Sequence, residues 1–330
     1  MLYSLESIIH PISLPSFQIE NNLFLAPMAG FTHKPFRELV KSFGAGLTFT
    51  EMVSVEGILR DNKKTFRYVE PDENGGFSVQ LFGSPEPQKF YKAALFLKRI
   101  FDIKMVDINF GCPVRKVLKG KAGAYLLNFP EKMADIVKAV KDADLIVSAK
   151  IRSGFNSVNI EKTIPALDDA GADIIIFHSR LATQFYGGRA NWELFAIARD
   201  LTNKILIANG DIKSLDDVRY IITNYRVDGV MIGRKALEAP YIFEIIRHYF
   251  ESGELKRFSR MEIMEIIKKF VSCYCNYYKK DSIKEIRGLL MHLVKNLASA
   301  RELRKKIAEI ETISELMALI EKYKVGKYYD

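Results

Sequence analysis

The 330-residue chain has only three cysteines, Cys112, Cys273 and Cys275, together with one tryptophan and five histidines. Three thiols are too few for a disulfide framework, and the absence of any C-x-x-C pair or Cys/His cluster leaves no zinc site. Cys273 and Cys275 lie in a helical stretch where a spacing of two turns them to different faces, which reads as packing. Long apolar runs are also missing: nothing approaches the roughly 18 consecutive apolar residues of a spanning helix. The acidic start MLYSLESIIHP lacks the basic n-region of a secretory signal. There is no low-complexity linker. These absences predict a cytoplasmic protein with no membrane, no metal and no obligate protein partner.

What is present is a globular composition, 48% hydrophobic and 27% charged, long enough to exclude a single small binding module. The net charge of +9 suits a polyanionic partner. It is unevenly spread, because residues 241–330 hold 18 basic and 13 acidic side chains and so carry +5 of that charge.

Eight short apolar runs recur before that tail: NLFLAPM (22–28), LTFTEMV (47–53), FSVQLFG (77–83), MVDINFGC (105–112), LIVSAKIR (145–152), DIIIFHSR (173–180), KILIANGD (204–211) and DGVMIGRK (228–235). Helix-period segments follow all but the second, the last of them running from Ala236 to Phe250. Eight βα units in about 240 residues predict an α/β fold, a (β/α)8 TIM barrel, over a doubly wound sheet. The polar residues Glu51, Gln80, Asn109, Lys150, His178, Asn209 and Arg234 all fall near the C-terminal ends of these runs, which a barrel gathers at one mouth. From about residue 241 the strand signal stops. Ser259-x-x-Glu262, Ser282-x-x-Glu285 and Thr312-x-x-Glu315 read as capping boxes opening helices over 260–278, 283–298 and 313–323. A further helix around 300–310 carries Arg301, Arg304, Lys305 and Lys306. The expected organisation is a barrel over 1–240 and an all-α helical bundle over 241–330.

Asn209-Gly210-Asp211 and Gly233-Arg234 end the seventh and eighth strands, where barrels commonly bind phosphate. Lys150, with Arg152 on the same strand face, needs an anionic partner, and the negative N1 region of a reduced flavin would be one. Gln80 offers an amide to the edge of a pyrimidine-like ring. Cys112, in a turn after the fourth strand, is suited to act as an acid when protonated or as a nucleophile when activated, and the sequence leaves both open.

In order, Ala26-Pro27-Met28-Ala29-Gly30, Phe36-Arg37, Thr50-Glu51-Met52, Gln80-Leu81-Phe82-Gly83, Asp107-Ile108-Asn109-Phe110-Gly111-Cys112-Pro113, Lys150-x-Arg152, His178-x-Arg180, Asn209-Gly210-Asp211 and Gly233-Arg234 resemble the tRNA dihydrouridine synthase family, bacterial type. The resemblance runs from about residue 22 to 240, with His178-Ser179-Arg180-Leu181 standing where the family usually has His-Gly-Arg-Thr. It implies an FMN enzyme that reduces the C5–C6 bond of selected uridines in tRNA, with NADPH, or NADH in its place, as reductant. Hydride would reach C6, and Cys112 would give the proton to C5. Pro27, Met28 and Ala29 would line the flavin, with Gln80, Lys150 and His178 at its rings. Asn209, Gly210, Asp211, Gly233 and Arg234 would hold its ribityl phosphate end, and Asn109, Arg152 and Arg180 would position the uracil. The basic tail would bind tRNA, aided by Arg115, Lys116, Lys119 and Lys121 beside the mouth. The competing expectations are a small-molecule FMN barrel oxidoreductase of the dihydroorotate dehydrogenase or old yellow enzyme type, and a non-catalytic tRNA-binding factor.

Overall fold

The computed structural model describes residues 8–72, 76–297 and 300–325. Two short antiparallel strands, β1 (Ile12–Leu14) and β2 (Phe17–Ile19), come first. Then follow β3 (Leu23–Leu25), α1 (Lys34–Ser42), β4 (Thr48–Phe49), β5 (Val53–Ser54), α2 (Val55–Leu59), α3 (Lys63–Phe66), β6 (Phe77–Phe82), α4 (Pro87–Phe101), β7 (Met105–Asn109) and α5 (Arg115–Lys119). The second half of the barrel contains α6 (Pro130–Lys141), β8 (Ile146–Gly154), α7 (Ile160–Asp169), β9 (Ile174–Leu181), α8 (Leu194–Asp200), β10 (Ile205–Asn209), α9 (Leu215–Tyr225), β11 (Gly229–Ile232) and α10 (Arg234–Glu238). Helices α11 (Ile242–Ser252), α12 (Arg260–Tyr278), α13 (Arg287–Leu293), α14 (Ala300–Glu309) and α15 (Ile313–Val325) complete the chain.

The strands pair in the order β3-β11-β10-β9-β8-β7-β6-β4, and a parallel bridge between Phe24 and Leu47 joins the two ends. All these pairings are parallel, as eight consecutive βα units require. The expected TIM barrel is therefore the fold. Period-two alternation divides its core in two. Outward side chains pack under the helices, while Phe24, Phe49, Met105, Ile146, Ile174, Ile176, Ile207 and Met231 form a second cluster inside the barrel. Ile12 and Ile19 of the β1–β2 hairpin belong to that inner cluster and plug its N-terminal end. Strands of three residues are too short to show periodicity, so the sequence did not announce them.

Three local expectations need correction. The second strand does have helices after it, α2 and α3, capped by Ser54 and Asn62 but only five and four residues long. The run from Ala236 to Phe250 is two helices, because Pro240 has no N–H to continue the first and pushes Ala239 out of helical geometry, to φ −149° and ψ 79°. The helix expected over 283–298 starts only at Arg287, and residue 298 lies outside the described residues. Its anticipated cap does not form, because the Glu285 carboxylate accepts from Tyr274 Oη (2.9 Å) and Lys280 Nζ (2.6 Å) instead. The Ser259–Glu262 and Thr312–Glu315 caps form as expected.

The tail is fastened to the first βα unit. The His33 ring stacks on Phe270 of α12 at 5.8 Å and meets Tyr274 and Tyr278, and Phe36 meets Phe270 edge-on at 6.3 Å. Burial in this aromatic setting, with Arg37 nearby, brings the His33 imidazole down to about 4, so it packs as a neutral ring. Among the described residues no helix is long and apolar enough to cross a membrane.

Candidate active site

Along each barrel strand the inward positions change from apolar to polar towards the C-terminal end. On β7 they read Met105, Asp107, Asn109; on β8 Ile146, Ser148, Lys150, Arg152; on β9 Ile174, Ile176, His178, Arg180; on β10 Ile207 and then Asn209. The parallel register sets Asn109 beside Lys150 and Arg152 beside His178, so these side chains share layers. Above them opens a cavity of about 410 Å³, within the usual range for ligand pockets. Every site residue named from the resemblance lines it: Pro27, Met28, Ala29, Gln80, Asn109, Cys112, Lys150, Arg152, His178, Arg180, Asn209, Gly210, Asp211, Gly233 and Arg234.

Of the cationic side chains that line this space, Lys150, Arg152, Arg180 and Arg234 are each held differently. Lys150 Nζ donates to Asn209 Oδ1 at 3.0 Å, and Asn209 Nδ2 is anchored on the Met231 carbonyl. Burial, with Arg152 nearby, lowers the ammonium from its ordinary value, while Asp107 and Cys112 oppose that shift. Arg152 directs its donors to the carbonyls of Gly111, Leu181 and Phe185 at 2.7–3.0 Å, thereby tying the β7, β8 and β9 loops together. Arg180 reaches the Gly187 and Gly188 carbonyls and Asp211 Oδ2 (2.5 Å). Arg234, half exposed, meets Asp211 Oδ1 at 2.9 Å. Asp211 thus braces two arginines at the cavity wall.

His178 is buried among these cations. Burial, followed by Lys150, Arg152, Arg180 and Arg234, holds it well below the ordinary imidazole range, so the ring is neutral at pH 7. Its Nε2 lies 3.4 Å from Arg180 Nη1, and because arginine only donates, Nε2 accepts and the ring proton sits on Nδ1. Gly210, at φ +117°, lies against this ring: a Cβ there would be 2.8 Å from His178 Cδ2 and 2.9 Å from Ala190 Cβ.

The Cys112 turn is organised by Asn109, whose Oδ1 accepts both the Gly111 N–H (3.1 Å) and the Cys112 N–H (2.9 Å). Asn109 therefore shapes the cysteine loop as well as lining the cavity. Burial raises the Cys112 thiol above its usual pKa, against the Val114 N–H, Arg152 and Lys150, so the protonated form dominates near neutrality.

Glu51 does not join the lining. Its carboxylate turns to the Gly30 N–H at 2.5 Å and pins the loop after β3. Tyr186 and His292 are among the lining residues not found from sequence. The exposed Tyr186 ring sits between the Arg152 and Arg234 guanidiniums, 5.6 and 5.4 Å away. An aromatic ahead of the Gly187-Gly188 pair in the loop after His178-x-Arg180 was the available signal. His292 reaches the cavity from α13 and meets Phe31 at 5.6 Å, and nothing in the tail sequence marks it.

Residues 24–326 match the model of the Dihydrouridine synthase (Dus) family. The chain belongs to that family. A probable tRNA-dihydrouridine synthase of Aquifex aeolicus is 33% identical over 310 residues, covering 92% of this chain and 96% of that protein. tRNA-dihydrouridine synthase B of Vibrio cholerae is 33% identical over 318 residues, 94% and 98% of the two chains. This dihydrouridine synthase family member is accordingly an oxidoreductase, and neither a small-molecule barrel oxidoreductase nor a non-catalytic binding factor is favoured. Among solved structures, the amine oxidase HisD of Pseudomonas geniculata N1 superposes with a TM-score of 0.59 at 14% identity over 82% of this chain and 53% of that one. Histamine dehydrogenase from Rhizobium sp. 4-9 gives 0.56 at 12% identity, covering 82% and 51%. These two likenesses are of the barrel fold.

Proposed function

We propose that the protein reduces the C5–C6 bond of uridines in tRNA, with FMN resident in the cavity and NADPH, or NADH, as reductant. The observation that carries this reading is one cavity lined by amide and ammonium donors, cations and a protonated thiol. The residues fit a flavin mononucleotide. Gln80 and Lys150 are donors for a ring edge of carbonyls, neutral His178 stands beside them, and Pro27, Met28 and Ala29 offer backbone along one wall. Arg234, with Asn209 and the backbone at Gly210 and Gly233, suits the phosphate end, where Asp211 fixes the guanidinium direction. Bound FMN would supply the hydride.

The chain's own part is to hold the uracil and move one proton. Arg152 and Arg180 keep the walls in place through carbonyl contacts, and Asn109 keeps Cys112 at the rim. As C6 gains hydride, charge builds at C5, and the Cys112 S–H proton forms the new C5–H bond, leaving a thiolate that solvent reprotonates. The nucleotide must leave its stack to enter, at a cost of a few kcal/mol that phosphate contacts elsewhere offset.

Those contacts are assigned to two surfaces, and the division at about residue 240 into a catalytic barrel and a tRNA-binding tail is part of this proposal. Arg115, Lys116, Lys119 and Lys121 are exposed just beyond Cys112. On α14, Arg301 and Lys305 are exposed, whereas Lys306 is engaged by Glu302 (2.7 Å) and Tyr323 Oη (3.0 Å). Reversing charge at Lys116 and Lys119 is expected to raise KM for tRNA about tenfold and to flatten its salt dependence, with kcat unchanged. Equal KM and salt slope would remove this helix from the interface.

The test of the function is twofold. The purified protein should be yellow with stoichiometric FMN, and tRNA from cells lacking the gene should lose dihydrouridine at defined positions. A colourless protein unable to take up FMN, or unaltered tRNA, would overturn the proposal.

A further inference from the structure

Beneath the cavity floor, outside its lining, lies a buried carboxylate that the mechanism above does not use. Asp107, on β7, is fully buried, as is Ser148, with Gln80 and Asn109 nearly so. Asp107 Oδ1 accepts from Ser148 Oγ at 2.6 Å, and Oδ2 accepts from Gln80 Nε2 at 2.6 Å. Gln80 Oε1 in turn accepts from Asn109 Nδ2 at 2.8 Å, and Asn109 Oδ1 accepts the N–H groups of Gly111 and Cys112.

The two ends of this chain determine the direction of everything between them. Backbone N–H groups can only donate, so Asn109 must turn its oxygen to the cysteine loop and its nitrogen to Gln80. Gln80 must then turn its oxygen to Asn109 and its nitrogen to residue 107, where an acceptor is required. A carboxylate supplies that acceptor and can take the Ser148 hydroxyl as well. We propose that Asp107 is a positioning residue: through the Gln80 and Asn109 amides it holds the Cys112 loop in place and makes Gln80 present its spare N–H to the carbonyl-bearing edge of the bound ring. The second part rests on the function proposed above, whereas the first does not.

The chain can be reversed by design. In Asp107→Asn/Asn109→Asp the amide introduced at position 107 would donate to Gln80 Oε1 and accept from Ser148. Gln80 Nε2 would donate to the carboxylate introduced at position 109, which still accepts the loop N–H groups. Every group is paired again, but the Gln80 amide is turned over. Asn109→Asp alone sets an acceptor against Gln80 Oε1 and breaks the chain, and Asp107→Ala leaves Gln80 Nε2 without a partner.

The experiment measures iodoacetamide alkylation of Cys112 in flavin-free protein, located by peptide mass spectrometry, and FMN affinity by quenching of flavin fluorescence. Asn109→Asp and Asp107→Ala are expected to speed alkylation at least fivefold and weaken FMN at least tenfold. The double swap should return alkylation to within twofold of wild type and leave FMN weakened. Asp107→Asn alone, which can still accept from Gln80, should stay within threefold on both measures. Alkylation unchanged in Asn109→Asp, or not recovered in the swap, overturns the loop role even if Asp107→Ala fails to fold. Full recovery of FMN affinity in the swap overturns the Gln80 role. The thiol measurement needs neither flavin nor tRNA, so its failure is distinct from failure of the proposed reaction.

Discussion

Cys112→Ala is expected to leave flavin reduction by NADPH within about twofold of wild type and to slow dihydrouridine formation roughly 10²- to 10⁴-fold, the range for loss of a positioned general acid. The split follows from where the thiol stands. It lines the cavity rim on a loop held by Asn109, and among the described residues no hydrogen bond from it supports the floor residues Gln80 and Lys150. Stopped-flow bleaching of the flavin separates the two steps. The same setting decides a question the sequence left open. Arg152 and Lys150 favour a thiolate, but burial outweighs them and raises the pKa above the ordinary thiol value, so the residue is poised as an acid. As the proposed general acid, Cys112 acts in its protonated form, so the rate of uridine reduction should be level through neutral pH and fall only as pH climbs past the raised thiol pKa. A rate that instead rises with pH across that range would make Cys112 a nucleophile.

The second large effect is structural. Asp211→Ala is expected to cost about 3–5 kcal/mol of stability and to lower FMN affinity together with it. Arg180 is 1% exposed and Asp211 15%, so removing the carboxylate leaves a guanidinium buried with its counter-charge gone. Most of the loss belongs to that pair, because the second partner, Arg234, is half exposed and screened. Burial alone would raise the Asp211 pKa, but the Arg180 hydrogen bond, the Ala190 N–H and the charge of Arg180 lower it overall. A folded-state pKa depressed in this way adds stability above the unfolded carboxylate value, and that stability is lost as pH falls through the folded one. Denaturant titration should accordingly show the wild type converging on Asp211→Ala as pH drops below about 4. Curves that stay parallel down to pH 2 would assign the loss to packing.

Much of the site was legible beforehand because a parallel barrel turns linear position into spatial position. Lys150 and Arg152 share a face by the period of two, and Asn109, His178 and Asn209 come together because each lies at or near the C-terminal end of its strand. The same rule misled at Glu51, whose strand-end carboxylate turns to the Gly30 loop, and it did not show that Asp211 braces Arg180 and Arg234. In the tail, the Ser-x-x-Glu spelling at Ser282 loses the Glu285 carboxylate to Tyr274 and Lys280, a competition between helices that spacing cannot express.

The sequence by itself therefore determined the barrel, the inward face of each strand and the strand-end residues that line its mouth apart from Glu51, since these follow from periodicities of two and 3.6 and from strand order. Only the tertiary structure decided the protonation of Cys112, the direction of the Gln80 and Asn109 amides, the burial of Arg180 against Asp211 and the arrival of His292 from α13. Those depend on desolvation and on which donor meets which acceptor across distant segments, energies that arise only when the chain has closed on itself.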